Sequence, residues 1–287
     1  MVNADLAQAA PSPAYELAFV EVTSPIRPPE DAPGVEVLRD EDGNALAISW
    51  ANAGQRFLHV VGVAVFEWSR DQHRITAAAP PDVPRPSVTA AFHKNVVPLL
   101  HYFAGYEVLH ASAVRSAAGI VGFCADAGTG KSTLAYGLGT RGFPQWADDA
   151  LAIDLSRERP MALALPFESR LRSRAREFFH GATPFRASDA EAPLAALGLI
   201  VRAPLEDDVV RLEKLAGGRA FDEVVQHAYR LGLRTDHDRR RALIENYLRL
   251  VAVVPVYEIR FRPGFESLAA VVEIVGERLA DEVGRAV

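Results

Sequence analysis

Residues 122–133 read Gly-Phe-Cys-Ala-Asp-Ala-Gly-Thr-Gly-Lys-Ser-Thr and stand between an apolar run, 118–124, and a run with helical spacing, 132–139. A strand, a tight turn and a helix must therefore follow one another directly, which is the local unit of an α/β sheet. Small residues across Ala127, Gly128, Thr129 and Gly130 let backbone N–H groups turn inward around a polyphosphate, and the helix behind them presents its positive end. In that setting Lys131 reaches the β- and γ-phosphates, Ser132 completes a Mg²⁺ shell, and Thr133 belongs to the same binding set. The full pattern asks for glycine at position 125, where this chain has Ala125, a change that only a positive φ would forbid. The same residues also suit a strand-to-helix connection without a ligand, but Lys131 and Ser132 in register favour a nucleoside triphosphate.

Downstream, Trp146-Ala147-Asp148-Asp149-Ala150 sets two carboxylates at the front of an apolar run, 150–153. Doubly wound sheets gather ligands at the carboxyl ends of their strands, so a pair at the front of a strand implies a topology other than a Rossmann fold. One carboxylate can hold Mg²⁺ while its neighbour accepts a proton from an attacking hydroxyl. A polar turn opening a strand is the other reading of the pair.

With these blocks in view, the chain resembles the HPr kinase/phosphorylase family, whose P-loop kinase domain is related in fold to phosphoenolpyruvate carboxykinase. The likeness covers about residues 95–275 and rests on three blocks: His110 in Leu-His-Ala-Ser-Ala-Val, Lys131 with Ser132, and Asp148-Asp149 after Arg141-Gly142. It implies an ATP- and Mg²⁺-dependent serine kinase in which Lys131 binds phosphate and His110 lines the phosphate site. It further implies that Asp148 is the base and that Asp149 joins Ser132 as a metal ligand. On its own His110 reads more readily as a core or turn histidine. The family's Glu-Arg-Gly-rich signature is missing, and residues 165–174 read Leu-Pro-Phe-Glu-Ser-Arg-Leu-Arg-Ser-Arg instead. The chain is thus more similar to stand-alone HPr-kinase-related serine kinases of peptide natural-product pathways, which implies a serine of a precursor peptide, such as a lasso peptide, as acceptor. HPr kinases assemble into hexamers, so the resemblance also leaves a homo-oligomer open.

Arg170, Arg172, Arg174 and Arg176 alternate, and in a strand they would share one face able to clamp phosphates or an acidic peptide. A solvated helix or strand edge explains the same run. Glu168 is a candidate second metal ligand or a surface partner of an arginine. His93 and His101 lack ligand partners at metal spacing and are expected at the surface.

The single cysteine, Cys124, excludes an internal disulfide and reads as a buried thiol. A net charge of −6 speaks against a nucleic-acid partner held on a broad basic surface. No stretch approaches the roughly 20 apolar residues of a membrane span, and no signal-peptide pattern opens the chain, so a cytoplasmic protein without a membrane partner is expected. Residues 1–13 read as a disordered tail, 14–87 as a small β-rich domain, and 88–287 as the α/β kinase domain. Pro80, Pro81, Pro84 and Pro86 mark the connection, and Pro98 is expected to break or kink a helix over 88–104. Strands are expected at 151–155, 163–167, 197–201, 209–212 and 256–261, with helices at 221–231, 238–253 and 265–279. A small-molecule kinase and a nucleotide-responsive module without transferase activity are the alternatives left open.

Overall fold

The computed structural model describes residues 15–23, 27–28, 35–39, 42–69, 74–168, 171, 173–180, 182, 184–204, 210–231 and 236–284. The tail expected over 1–13, together with Arg170, Arg172 and Val209, lies outside the described residues.

The first sheet comprises β1 (Glu16–Glu21), β2 (Glu36–Arg39), β3 (Ala45–Asn52), β4 (Gln55–Val60), β5 (Ala64–Ser69) and β6 (Arg74–Ala79), in the order β1-β6-β5-β4-β3-β2. Strands β2 to β6 form an antiparallel meander, and β1 joins β6 in parallel. The β3–β4 turn has positive φ at both Ala53 and Gly54, the geometry whose twist suits a tight hairpin. Strand β6 reads Arg-Ile-Thr-Ala-Ala-Ala, a sequence of weak strand propensity, but Ile75 and Ala77 are fully buried and packing decides.

Phe66, Trp68, Ile75 and Ala77 pack against a helical segment made of α1 (Arg85–Ala91), a π-helical turn (Phe92–Val96) and α2 (Val97–Phe103). The expected break precedes Pro98 and takes the form of that π-turn. Proline cannot donate to the carbonyl four residues back, here that of Lys94, and its ring crowds that carbonyl, so the ladder widens just upstream. The same core cluster takes in Val108, Ala152 and Leu163, which makes it continuous with the second sheet. His101 is not at the surface: α2 is enclosed, and the ring is buried with Nδ1–H donating to Val97 O at 3.0 Å.

Nine strands form the second sheet among the described residues: β7 (Glu107–Leu109), β8 (Ala111–Ser116), β9 (Gly119–Cys124), β10 (Gln145–Ala147), β11 (Leu151–Asp154), β12 (Met161–Leu163), β13 (Glu191–Arg202), β14 (Arg211–Lys214) and β15 (Val256–Phe261). Strand β13 runs parallel to β9 and β15 along its later part and antiparallel to β12 at its start. Strand β9 is buried along its whole length, which accounts for its unbroken apolar sequence and for the inert Cys124, whose thiol burial pushes up to about 12.

Helices cover both faces of this sheet. The apolar side chains of α3 (Lys131–Gly139) and α7 (Phe265–Gly284) pack on Val121, Phe123 and Ile259, whereas α5 (Gly217–Gln226) and α6 (His237–Val253) pack on Leu109, Leu151 and Leu199. The molecule is thus mixed α/β with two sheets. No helix among the described residues is long and apolar enough to cross a membrane.

Candidate functional site

Strand register gathers the chemistry at one end of β9. Strand β8 runs antiparallel to β9 with Ala111 opposite Cys124, so β8 begins where the Gly-rich loop begins. Strand β10 runs antiparallel to β8 with Ala147 opposite Ala113, which delivers Asp148 to the same edge. The carboxylate pair therefore closes a short strand as well as preceding β11, and the three residues of β10 were too few to be recognised from sequence. His110 links β7 to β8, and its backbone N–H donates to His227 O at 2.8 Å.

The loop has the left-handed backbone its glycines allow, with φ of 73° at Gly128 and 119° at Gly130. Ala125 is not among the positive-φ residues, so its methyl group is compatible with the turn. No side chain caps α3, and the amides of its first turn, Lys131, Ser132 and Thr133, have no intrahelical acceptors. Lys131 folds back so that Nζ donates to Ala125 O at 2.7 Å, while Arg202, at the end of β13, donates from Nη2 to Gly128 O at 2.6 Å. Burial lowers the Lys131 ammonium below its ordinary value, opposed by the charges of Asp149, Asp126 and Asp148.

Ser112 joins loop and carboxylates. It is fully buried, its Oγ donates to Asp148 Oδ1 at 2.8 Å, and the same oxygen lies 3.5 Å from Ser132 Oγ. Asp149 turns the other way. Its Oδ2 pairs with Lys94 Nζ at 2.9 Å, its carbonyl accepts from His110 Nδ1 at 2.9 Å, and its φ is 71°. Burial alone would raise the Asp149 carboxyl, but the hydrogen bond and charge of Lys94, with the Lys131 charge behind them, hold it below the ordinary range. Burial, then the Lys131 charge, lowers His110, which keeps the imidazole neutral with its proton on Nδ1.

Lys131, Ser132, His110, Asp148 and Asp149 thus stand together, with Ala127, Gly128, Thr129, Gly130 and Thr133 forming the loop and first helical turn. Arg174 and Arg176 lie on α4 (Ser173–Phe178), where alternate residues diverge by about 200°, so they do not form the one-sided strand face considered above. Glu168 lines a cavity of about 320 Å³ whose wall also includes Asp148, Asp149, Lys94 and Arg186. Four residues near the site carried no recognisable signal: Lys94, Ser112, Arg186 and Arg202. His227 falls within the electrostatic reach of Lys131 and Asp126, with burial lowering its pKa first.

No family model matches the chain, and no curated protein matches it. Among solved structures, the HPr(Ser) kinase/phosphatase from Coxiella burnetii aligns with 61% of this chain and 98% of its own, at 14% sequence identity and a TM-score of 0.32. At that level the functional reading has to stand on the residues and distances of the site.

Proposed function

We propose that this chain is a phosphotransferase that moves the γ-phosphoryl group of ATP, with Mg²⁺, to a serine hydroxyl of a peptide or small protein. The observation that carries the reading is the line from Ser132 through Ser112 to Asp148, which ties the first turn of α3 to the carboxylate pair. A precursor peptide of the lasso type is the acceptor to which the sequence resemblance points.

The residues present fit both ligands. The uncapped first turn of α3, two left-handed glycines and a buried lysine form a polyphosphate cradle. Among the described residues no cluster of three or more His, Cys, Asp or Glu side chains is gathered as a metal cage, but Mg²⁺ is commonly held by one or two carboxylates plus phosphate oxygens. Ser132 and Asp148, linked by Ser112, supply the oxygen donors for it. Bound there, Mg²⁺ supplies neutralisation of charge on the phosphate oxygens.

Lys131 releases Ala125 O and turns to the phosphates, whose negative charge opposes the lowering that burial imposes on its ammonium group. Asp149, held ionised, takes the proton of the serine hydroxyl at a carboxylate oxygen as Oγ bonds to the γ-phosphorus, the bond to the bridging oxygen breaks, and ADP departs. His110, fixed by the Asp149 carbonyl, stands beside Lys131 at the phosphate edge. This division gives the metal to Asp148 and the base to Asp149, the reverse of the expectation from sequence, and what supports it is Ser112 Oγ, which contacts Asp148 Oδ1 at 2.8 Å and lies 3.5 Å from Ser132 Oγ. Intact-mass spectrometry of precursor peptides after incubation with ATP and Mg²⁺ tests the function. The expected result is one added phosphate, lost with Lys131→Ala. ATP binding without transfer to any peptide would leave a small-molecule acceptor or a nucleotide-responsive module instead.

A further inference from the structure

The cavity beside the carboxylate pair contains a cation that the transfer chemistry above does not use. It is lined by Asp148 and Asp149, by Lys94 of the π-turn, and by Phe167, Glu168 and Arg186. A volume of about 320 Å³ corresponds to a space about 8 Å across, enough for two or three residues of an extended peptide. The charge of Lys94 is already matched by Asp149.

Arg186 differs. Its Nη1 donates to Phe167 O at 3.0 Å and its guanidinium carbon lies 4.6 Å from the centre of the Phe167 ring, so the planar fork is oriented by a carbonyl and an aromatic face. Among the described residues it forms no ion pair with a carboxylate. Its backbone is fixed as well. Arg186 bridges Gln145 in parallel, Gln145 N–H donates to Phe185 O at 2.7 Å, and Ala187 N–H donates to Gln145 O at 2.9 Å. Gln145 begins β10 and Asp148 follows its end, so the strand holds the arginine and the carboxylate pair about 10 Å apart along the chain. An extended peptide spans that distance in about three residues.

We infer that this cavity is the acceptor site and that Arg186 selects peptides bearing an Asp or Glu side chain within three residues of the acceptor serine, an inference that rests on the phosphotransferase reading above. An oriented peptide arms the interaction in a simple way: with serine over Asp149, a carboxylate side chain meets the guanidinium fork in the two-point geometry that suits it.

The test is a peptide library with a central serine and randomised flanks, incubated with the full chain, ATP and Mg²⁺. Positional preferences are read from the phosphorylated fraction, and affinity for a fluorescent ATP analogue is measured in parallel. The wild type is expected to favour Asp or Glu over Lys or Arg about tenfold at one or more positions within three residues of the serine. Arg186→Ala should flatten that preference, and Arg186→Glu should turn it towards basic residues. Transfer without an acidic preference, or a preference that survives Arg186→Ala, overturns the inference. So does a library that takes no phosphate from protein that binds the analogue. Protein that does not bind the analogue at all overturns the nucleotide reading, and the inference with it.

Discussion

Ser112→Ala probes the contact on which the site is organised. Ser112 Oγ is fully buried and donates to Asp148 Oδ1 at 2.8 Å, and Asp148 is itself only 8% exposed. A hydrogen bond to an ionised group contributes about 1.5–3 kcal/mol net. Asp148 has a further interaction in the structure, so the lower part of that range applies, about 1.5–2 kcal/mol. With a urea m-value of about 2.5 kcal/mol/M, the unfolding midpoint should fall by roughly 0.6–0.8 M. The contact also orients Asp148 towards Ser132, so the Mg²⁺ concentration needed for half-maximal transfer should rise about tenfold, equivalent to about 1.4 kcal/mol. Urea unfolding without nucleotide, repeated in an Asp148→Asn background, isolates the pair, and the cost of losing Ser112 should shrink there by about 1 kcal/mol. An equal cost in both backgrounds would show that Ser112 does not act through Asp148.

Asp148→Asn should weaken the response to Mg²⁺ and Mn²⁺ by an order of magnitude or more, whereas Asp149→Asn should leave the metal response near normal and slow transfer by about 10²–10⁴; metal titrations of both variants decide between the two assignments, and the opposite pattern restores the one expected from sequence. Acid should destabilise the fold through His101, whose Nδ1–H is bonded to Val97 O while Nε2 is buried with no partner among the described residues. Its folded pKa is lowered, by burial first, so the stability it contributes is present above the unfolded value near 6.5 and is lost as pH falls through 6.5 towards the folded value. Thermal unfolding between pH 8 and 5 should show that decline, and His101→Gln should reduce it, leaving the part that His59, His110 and His227, each also lowered by burial, contribute.

What the sequence made legible was local chemistry. The loop, the start of α3 and the span of β15 are each carried by consecutive residues, and the apolar run before the loop became β9 almost residue for residue. What it hid depends on pairing between strands. Ser112 sits among alanines in an apolar strand and reads as core until β10 is laid against β8. Lys94 gave no signal because its place follows from a π-turn, which periodicity does not reveal. The lack of ligand partners at metal spacing points His101 to the surface, yet the ring is buried because α2 is enclosed, as its buried neighbours Leu99, Leu100 and Tyr102 show.

Two backbone positions show how far a motif can be departed from. At position 125 alanine replaces the glycine of the full pattern, and because φ there is not positive the substitution brings no left-handed strain. At position 149 the reverse holds: φ is 71°, a conformation that costs a non-glycine residue about 1–2 kcal/mol, yet the residue is an aspartate. Glycine would relieve the strain but remove the carboxylate. The structure fixes Asp149 at both ends, its carbonyl by His110 and its carboxylate by Lys94, and these contacts offset the strain. Aspartate is one of the few non-glycine residues that turns admit in this conformation, and what distinguishes Asp149 is that His110 holds its carbonyl while Lys94 holds its carboxylate. The carboxylate is what an aspartate adds over glycine at this position, and it pairs through Oδ2 with Lys94, 2.9 Å away.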